Sequence, residues 1–155
     1  MTDNPTLQLD TLSLRLWLRL LGCTKRIENQ IRSNLREQHD TTLPRFDVLA
    51  QLYRYPAGLR MGEISAMLLV TGGNITGIVE QLYQEGLVER VTDPADRRAY
   101  IAKLTPKGLA EFEKMAVEHR VWVNDLLSGL SPQEQEQLHG LLTKLRESLI
   151  ADPTQ

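Results

Sequence analysis

The sequence predicts a mainly α-helical fold carrying one small β-hairpin, and three observations predict it. Apolar stripes at helical spacing mark long helices at both ends of the chain. Two short helical segments follow one another through a tight connection at Leu69-Val70. Two β-rich runs, Leu87-Val88-Glu89-Arg90-Val91 and Ala99-Tyr100-Ile101-Ala102-Lys103-Leu104, then flank a polar turn containing Asp93-Pro94. At 155 residues and 41% hydrophobic content, the chain is long enough for one domain with a real core and too short for two independent ones.

From Thr6 to about His39, Leu16, Leu20, Cys23, Ile27, Ile31 and Leu35 form one helical stripe, which Leu14, Trp17, Leu18 and Leu21 widen. An apolar face broader than about 100° implies packing against two different surfaces. Thr42-Leu43-Pro44 starts a second helix with proline in its first turn, and Pro56 and Gly58 end it. A third helix carries Glu63, Ile64, Met67 and Leu68. The fourth takes Thr71 as N-cap and Ile75, Ile78, Val79 and Leu82 as its apolar face, with Gly86 as C-terminal cap. After the hairpin, Thr105-Pro106-Lys107-Gly108 caps a long amphipathic helix that Gly129 breaks, and Ser131-Pro132-Gln133-Glu134 has capping-box spacing before a leucine stripe through Leu149.

Two short helices joined by a tight turn and followed by a hairpin make a winged helix-turn-helix. The expected organisation is a single unit over residues 1–155, with a winged-helix lobe over 43–104 and dimerisation helices over 6–39 and 106–150. The terminal helices hold more leucine than one small core absorbs, which predicts a two-fold symmetric dimer bundled by the N- and C-terminal helices.

Composition narrows the function. The net charge is −2 and no segment is a basic tail, so any DNA contact rests on a few placed cations, backbone amides and polar side chains. Cys23 is the only cysteine, which excludes an intramolecular disulfide and a cysteine metal site. No signal peptide and no 18-residue apolar run stand in the sequence, so a cytoplasmic protein away from the membrane is expected. Thr71-Gly72-Gly73-Asn74 lacks the Gly-Lys-Ser/Thr of a phosphate loop, and His39, His119 and His139 have no carboxylate companions at ligand spacing. No catalytic residue, metal or cofactor is expected, and the chain reads as a non-enzyme.

Four segments in order, Thr71-Gly72-Gly73-Asn74-Ile75-Thr76, Gly86-Leu87-Val88-Glu89-Arg90, Asp93-Pro94-Ala95-Asp96-Arg97-Arg98 and Leu104-Thr105-Pro106-Lys107-Gly108, resemble the MarR family of bacterial transcription regulators over nearly the whole chain. The resemblance implies a homodimer on double-stranded, pseudo-palindromic DNA, with its affinity altered by a small molecule or by oxidation. The implied DNA residues are Thr71, Gly73, Asn74 and Thr76 on the recognition helix and Asp96, Arg97 and Arg98 on the wing. Asparagine and threonine suit adenine edges and thymine methyls in the major groove. Arg98 would enter the minor groove, with Asp96 holding its guanidinium. The recognition segment from Thr71 to Glu85 has no Lys or Arg, which leaves the wing as the main source of attraction.

Trp17, Arg45, Phe46, Tyr53, His119 and Trp122 are the candidate effector-binding residues, although a large side chain at helical spacing is more often packing than pocket. Arg45 has two readings, an anionic ligand or an ion pair with Asp47. Leu43-Pro44-Arg45-Phe46-Asp47 with Ala50-Gln51-Leu52 is similar to a family branch linked to aromatic-acid breakdown, which implies a repressor released by an aromatic acid or its coenzyme A thioester. Two alternatives stand beside it. One is redox sensing through Cys23, against which its place on the apolar stripe predicts a buried, inert thiol. The other is a winged helix used only for protein docking.

Overall fold

The computed structural model describes residues 11–68 and 74–151, and the chain divides into two compact units between His119 and Arg120. The first unit holds α1 (Leu12–His39), α2 (Leu43–Arg54), β1 (Leu59–Arg60), α3 (Met61–Met67), α4 (Ile75–Gln84), β2 (Val88–Asp93), β3 (Asp96–Leu104) and the start of α5 (Pro106–Leu126). The second holds the end of α5 and α6 (Pro132–Ala151).

Thr11 caps α1 by accepting the Leu14 N–H, and Asp40 ends it in the left-handed region at φ 48°. Only Ile31 and Leu35 of α1 are buried, whereas Leu16, Trp17 and Leu18 are each more than half exposed. Cys23 is exposed as well, contrary to the buried thiol expected from the stripe. Helical spacing puts a residue on an apolar face, but this half of the face finds no partner among the described residues of its unit.

Thr42 caps α2 through the Arg45 N–H, and Phe46, Val48, Leu49 and Leu52 are driven inward by their helical spacing. They join Leu35, Ile64, Val79, Leu82 and Val88 in the core. Each large aliphatic side chain withdrawn from water contributes about 1.5–3 kcal/mol, so this cluster fixes the helix-turn-helix. The α4 helix begins at Ile75 with Asn74 in the N-cap position, three residues later than expected; Thr71 and Gly73 lie outside the described residues.

The sheet has three antiparallel strands in the order β1-β3-β2. The two-residue β1 pairs Leu59 with Ala102 and Arg60 with Ile101. Gly58 precedes it at φ 95°, where a Cβ would lie 2.8 Å from the Ala102 carbonyl oxygen, so glycine is required there. The hairpin is longer and its turn shorter than the sequence suggested: only Pro94 and Ala95 stand between the strands. Thr92 faces Tyr100, yet Asp93 faces Asp96, which leaves residues 97–99 without partners in that ladder. Extra residues on one strand bend it locally and re-aim its side chains.

The chain leaves β3 through a tightly built corner. The Thr105 hydroxyl donates to the Gly86 carbonyl at 2.6 Å and accepts the Gly108 N–H at 3.0 Å. The Lys107 ammonium donates to the Glu85 carbonyl at 3.0 Å. A Cβ on Gly108 would lie 2.0 Å from the Leu87 carbonyl oxygen. The Thr-Pro-Lys-Gly sequence thus joins the end of α4 to the start of α5.

In the second unit Ser131 and Glu134 form a reciprocal capping box, and the two hydrogen bonds from Ser131 hold the Glu134 carboxyl below its ordinary pKa. The Gln135 amide donates to the Leu127 and Leu130 carbonyls, both at 3.1 Å, and the Leu127 carbonyl also accepts the Leu130 N–H at 3.0 Å, which closes the turn between α5 and α6. No residue of α6 is buried, and Leu141, Leu149 and Ile150 are strongly exposed.

Candidate nucleic-acid interface

The wing carries Arg97 and Arg98 in the unpaired stretch of β3, where both are exposed. Neither guanidinium makes an ion pair among the described residues. Asp96 accepts the backbone N–H of Arg98 at 3.0 Å. The Asp96 contact recorded among the described residues is thus to the backbone of Arg98, as a carboxylate two residues earlier in a tight turn reaches the amide. Arg98 shares a surface cavity with Arg60, Glu63 and Tyr100, so two arginines border one cavity beside the wing.

Asp93, only 3% exposed, is the anchor of the turn. Its carboxylate accepts the Ala95 N–H at 2.9 Å and pairs with the Arg60 guanidinium at 2.5 Å. Arg60 precedes α3, and its own N–H donates to Glu63 at 2.8 Å. One buried acid therefore ties the wing tip to the first helix of the helix-turn-helix.

Arg90 performs the matching task for the recognition helix. Its guanidinium lies 4.3 Å from the ring centre of Tyr83 on α4 and 5.0 Å from that of Tyr100 on β3, and it pairs with Glu80 of α4. Cation–π contacts at these distances hold planar groups in fixed order. Sequence reasoning passed over Arg90; the spacing of Glu80 and Tyr83, which puts both on one helical face, was the available signal.

Asn74 and Thr76 stand at the start of α4, both exposed. Gly77 sits beside the Asn74 side chain, where a Cβ would be 3.4 Å from its amide nitrogen. A polar helix start beside a cationic hairpin is suited to base edges on one side and to phosphates or a narrow groove on the other.

Three of the expected effector residues, Phe46, Tyr53 and His119, come together around Phe112. Phe46 is buried, with its ring centre 5.4 Å from Phe112 and 4.7 Å from His119, and Tyr53 lies 5.0 Å from Phe112. This is an aromatic core between α2 and α5, and burial lowers the His119 pKa by disfavouring its charged form. Tyr53 also lines a separate cavity of about 590 Å³ with Leu52, Leu104 and Leu109. Trp17 is exposed on α1, and Trp122 belongs to the second unit.

Arg45 does not pair with Asp47. Its guanidinium reaches across to α4, pairing with Glu85 and donating to Gln81 at 3.3 Å, while Nε donates to the Thr41 hydroxyl at 3.3 Å. Residues two positions apart lie on nearly opposite sides of a helix, so Arg45 turns to α4 and Asp47 turns inward. Burial pushes the Asp47 carboxyl up to about 6; Arg32 opposes this and Glu28 adds to it. Its Oδ2 is buried without a hydrogen-bond partner among the described residues.

The family model of the MarR family matches residues 39–99, which span α2 through the wing. The uncharacterized HTH-type transcriptional regulator YkoM of Bacillus subtilis is 37% identical over 118 residues, covering 76% of this chain and 74% of the relative. This chain belongs to the MarR family. A MarR family transcriptional regulator from Silicibacter pomeroyi has a solved structure with TM-score 0.77 and 32% identity, covering 88% of this chain and 94% of that one. A mutant MarR from E. coli, solved in complex with operator DNA, matches with TM-score 0.73 and 26% identity over 88% of this chain and 99% of that one. Membership makes this protein a DNA-binding transcription regulator with a winged helix-turn-helix, and not an enzyme. Among the described residues no helix is long and apolar enough to cross a membrane.

Proposed function

We propose that this MarR family member is a ligand-responsive repressor that binds a pseudo-palindromic operator as a homodimer and leaves it when a small aromatic acid or its coenzyme A thioester binds. The observation that carries the DNA part is the stretch 97–99, which presents Arg97 and Arg98 unpaired beside a recognition helix without cations. The working division is a DNA-binding lobe over 43–104, with 6–39 and 106–150 serving dimerisation. In it Thr71, Gly73, Asn74 and Thr76 meet the major groove, and Arg97 and Arg98, with Asp96 shaping their backbone, meet the minor groove.

Dimerisation is supported by the exposed apolar side chains of α1 and α6, Leu16, Trp17, Leu18, Leu141, Leu145 and Leu149 among them. An apolar surface of this density is costly in water and suits burial against a second copy. A two-fold dimer asks for half-sites about one helical turn apart.

The test begins with selection of bound DNA sequences by the purified protein. Arg98→Ala should then weaken operator binding and reduce the slope of affinity against salt by about one. Unchanged affinity and slope would remove the wing from the interface. A panel of aromatic acids and their coenzyme A thioesters titrated into the complex tests the effector. Release by none of them counts against that class.

One observation favours a second reading. Cys23 is exposed and shares a shallow groove with Arg15, Arg19 and Arg26, which leaves its sulfur open to an oxidant from solvent. Peroxide that dissociates the wild-type complex and spares Cys23→Ser supports redox control; peroxide without effect on either discards it.

A further inference from the structure

A cavity of about 260 Å³ opens on the first unit between the end of α1, the start of α2 and the middle of α4. Its polar lining is Arg32, Arg36, Thr41, Thr42, Arg45 and Gln81, over an apolar floor that includes Pro44 and Ile78. Three arginines line one small space, and among the described residues no carboxylate lines it. The acids that balance them stand outside the lining: Glu28 pairs with Arg32, Glu85 pairs with Arg45, and Asp47 lies near Arg32. Arg36 is exposed and makes no ion pair among the described residues.

We propose that this cavity takes a small oxyanion, a carboxylate or a phosphate, and that its occupancy frees the recognition helix by drawing Arg45 away from Gln81 and Glu85. Guanidinium forks bind such oxyanions in planar, two-point fashion, and three of them around one site exceed what any single surface arginine offers. Arg45 is the part that links occupancy to DNA. The same side chain lines the cavity and holds the last turn of α4 to the start of α2. Its present partner, Glu85, is about half exposed, so water takes up the displaced carboxylate at little cost. Arg36, which has no ion-pair partner among the described residues, supplies the first attraction.

A ligand loosens α4 only if it binds more tightly once Arg45 has left Glu85 and Gln81. The inference rests on the reading of this chain as a regulator that answers a small acid, and it names where the acid group sits. The floor at Pro44 and Ile78 provides an apolar surface for the rest of such a ligand.

The experiment uses the full chain, with sodium benzoate and inorganic phosphate as probes and sodium chloride at matched ionic strength as control. Calorimetry measures probe binding, and fluorescence anisotropy measures operator affinity. Arg36→Gln should leave the melting temperature and the probe-free operator affinity unchanged while weakening binding of at least one probe tenfold or more. Glu85→Gln should loosen operator binding several-fold without any probe, because it imitates the loss of the Arg45 tie. Equal probe affinity in wild type and Arg36→Gln overturns the site. Arg36→Gln that lowers operator affinity and the salt slope without any probe also overturns it, because the cavity would then hold a DNA phosphate. If an aromatic acid releases wild type and Arg36→Gln alike, the effector reading survives and this cavity is excluded. If phosphate binds through Arg36 and loosens operator binding while no aromatic acid does, the cavity stands and the aromatic class falls; a probe that binds through Arg36 and leaves operator affinity unchanged overturns the proposal.

Discussion

Replacing Arg90 with methionine keeps a flexible apolar stem between Tyr83 and Tyr100 and removes only the charge. Two ring contacts are lost, at 4.3 and 5.0 Å, together with the pairing to Glu80. At a partly exposed site each cation–π contact is worth about 0.5–1 kcal/mol, and a solvated ion pair adds about 0.5 kcal/mol or less. The side chain of Arg90 is 29% exposed and that of Glu80 45%, which places both in this weaker regime. The sum is about 1–2.5 kcal/mol, and for a chain of this length that corresponds to a fall in melting temperature of about 2–10 °C. Thermal and urea unfolding at fixed protein concentration measure it, since self-association of the kind proposed makes the melting temperature depend on concentration. A double-mutant cycle with Glu80→Gln isolates the ion pair, whose coupling should stay below about 1 kcal/mol. Operator affinity should fall as well, because Arg90 fixes α4 against the wing. If Arg90→Met unfolds within about 0.3 kcal/mol of wild type and binds DNA equally well, the sandwich is a bystander and the reasoning fails.

Gly108→Ala should destabilise by about 1–3 kcal/mol in chemical unfolding, because the added Cβ meets backbone atoms of Leu87 that cannot swing aside. Asp47→Asn bears on pH. The folded carboxyl titrates near 6 and the unfolded one near 3.8, so the folded state holds the proton longer and wild-type stability falls as pH rises from about 4 to 6. The asparagine variant should lose that part of the decline and gain stability at pH 7–8, seen in melting curves across pH; an unaltered profile would show that burial of Asp47 is relieved elsewhere. Leu141→Glu combined with Leu145→Glu should shift the sedimentation coefficient from dimer to monomer, and a dimer that persists would move the interface off α6.

Local chemistry was the legible part of this fold. Thr42 with Pro44, Gly86, Thr105 with Gly108, and Ser131 with Glu134 announced helix ends because capping involves residues only a few positions apart. The strand at Leu59–Arg60 escaped notice because two residues have no periodicity, and its partners lie some forty positions further on. The same distance hid the reach of Arg45 to Glu85 and of Arg60 to Asp93. Cys23 misled for a different reason: the helical stripe was read correctly, but a stripe does not say whether its cover comes from the same chain. At the candidate site, the wing arginines were legible from their motif. The frame that aims them, Asp93 with Arg60 and Arg90 with two tyrosines, needed coordinates.

The unpartnered stretch at residues 97–99 gives the wing a kind of modularity. Paired strand positions fix which face each side chain occupies, and changing their number by one turns every later residue over. Here the ladder closes at Thr92 with Tyr100 and again at Asp93 with Asp96, so the stretch between is bounded on both sides. Its length and composition can vary while the core-facing residues of β3 keep their orientation. On the proposed reading of the wing, exchanging these three positions between relatives would change what the wing offers to DNA without rebuilding the domain, so that part of such a regulator could vary while its fold stays under unchanged selection.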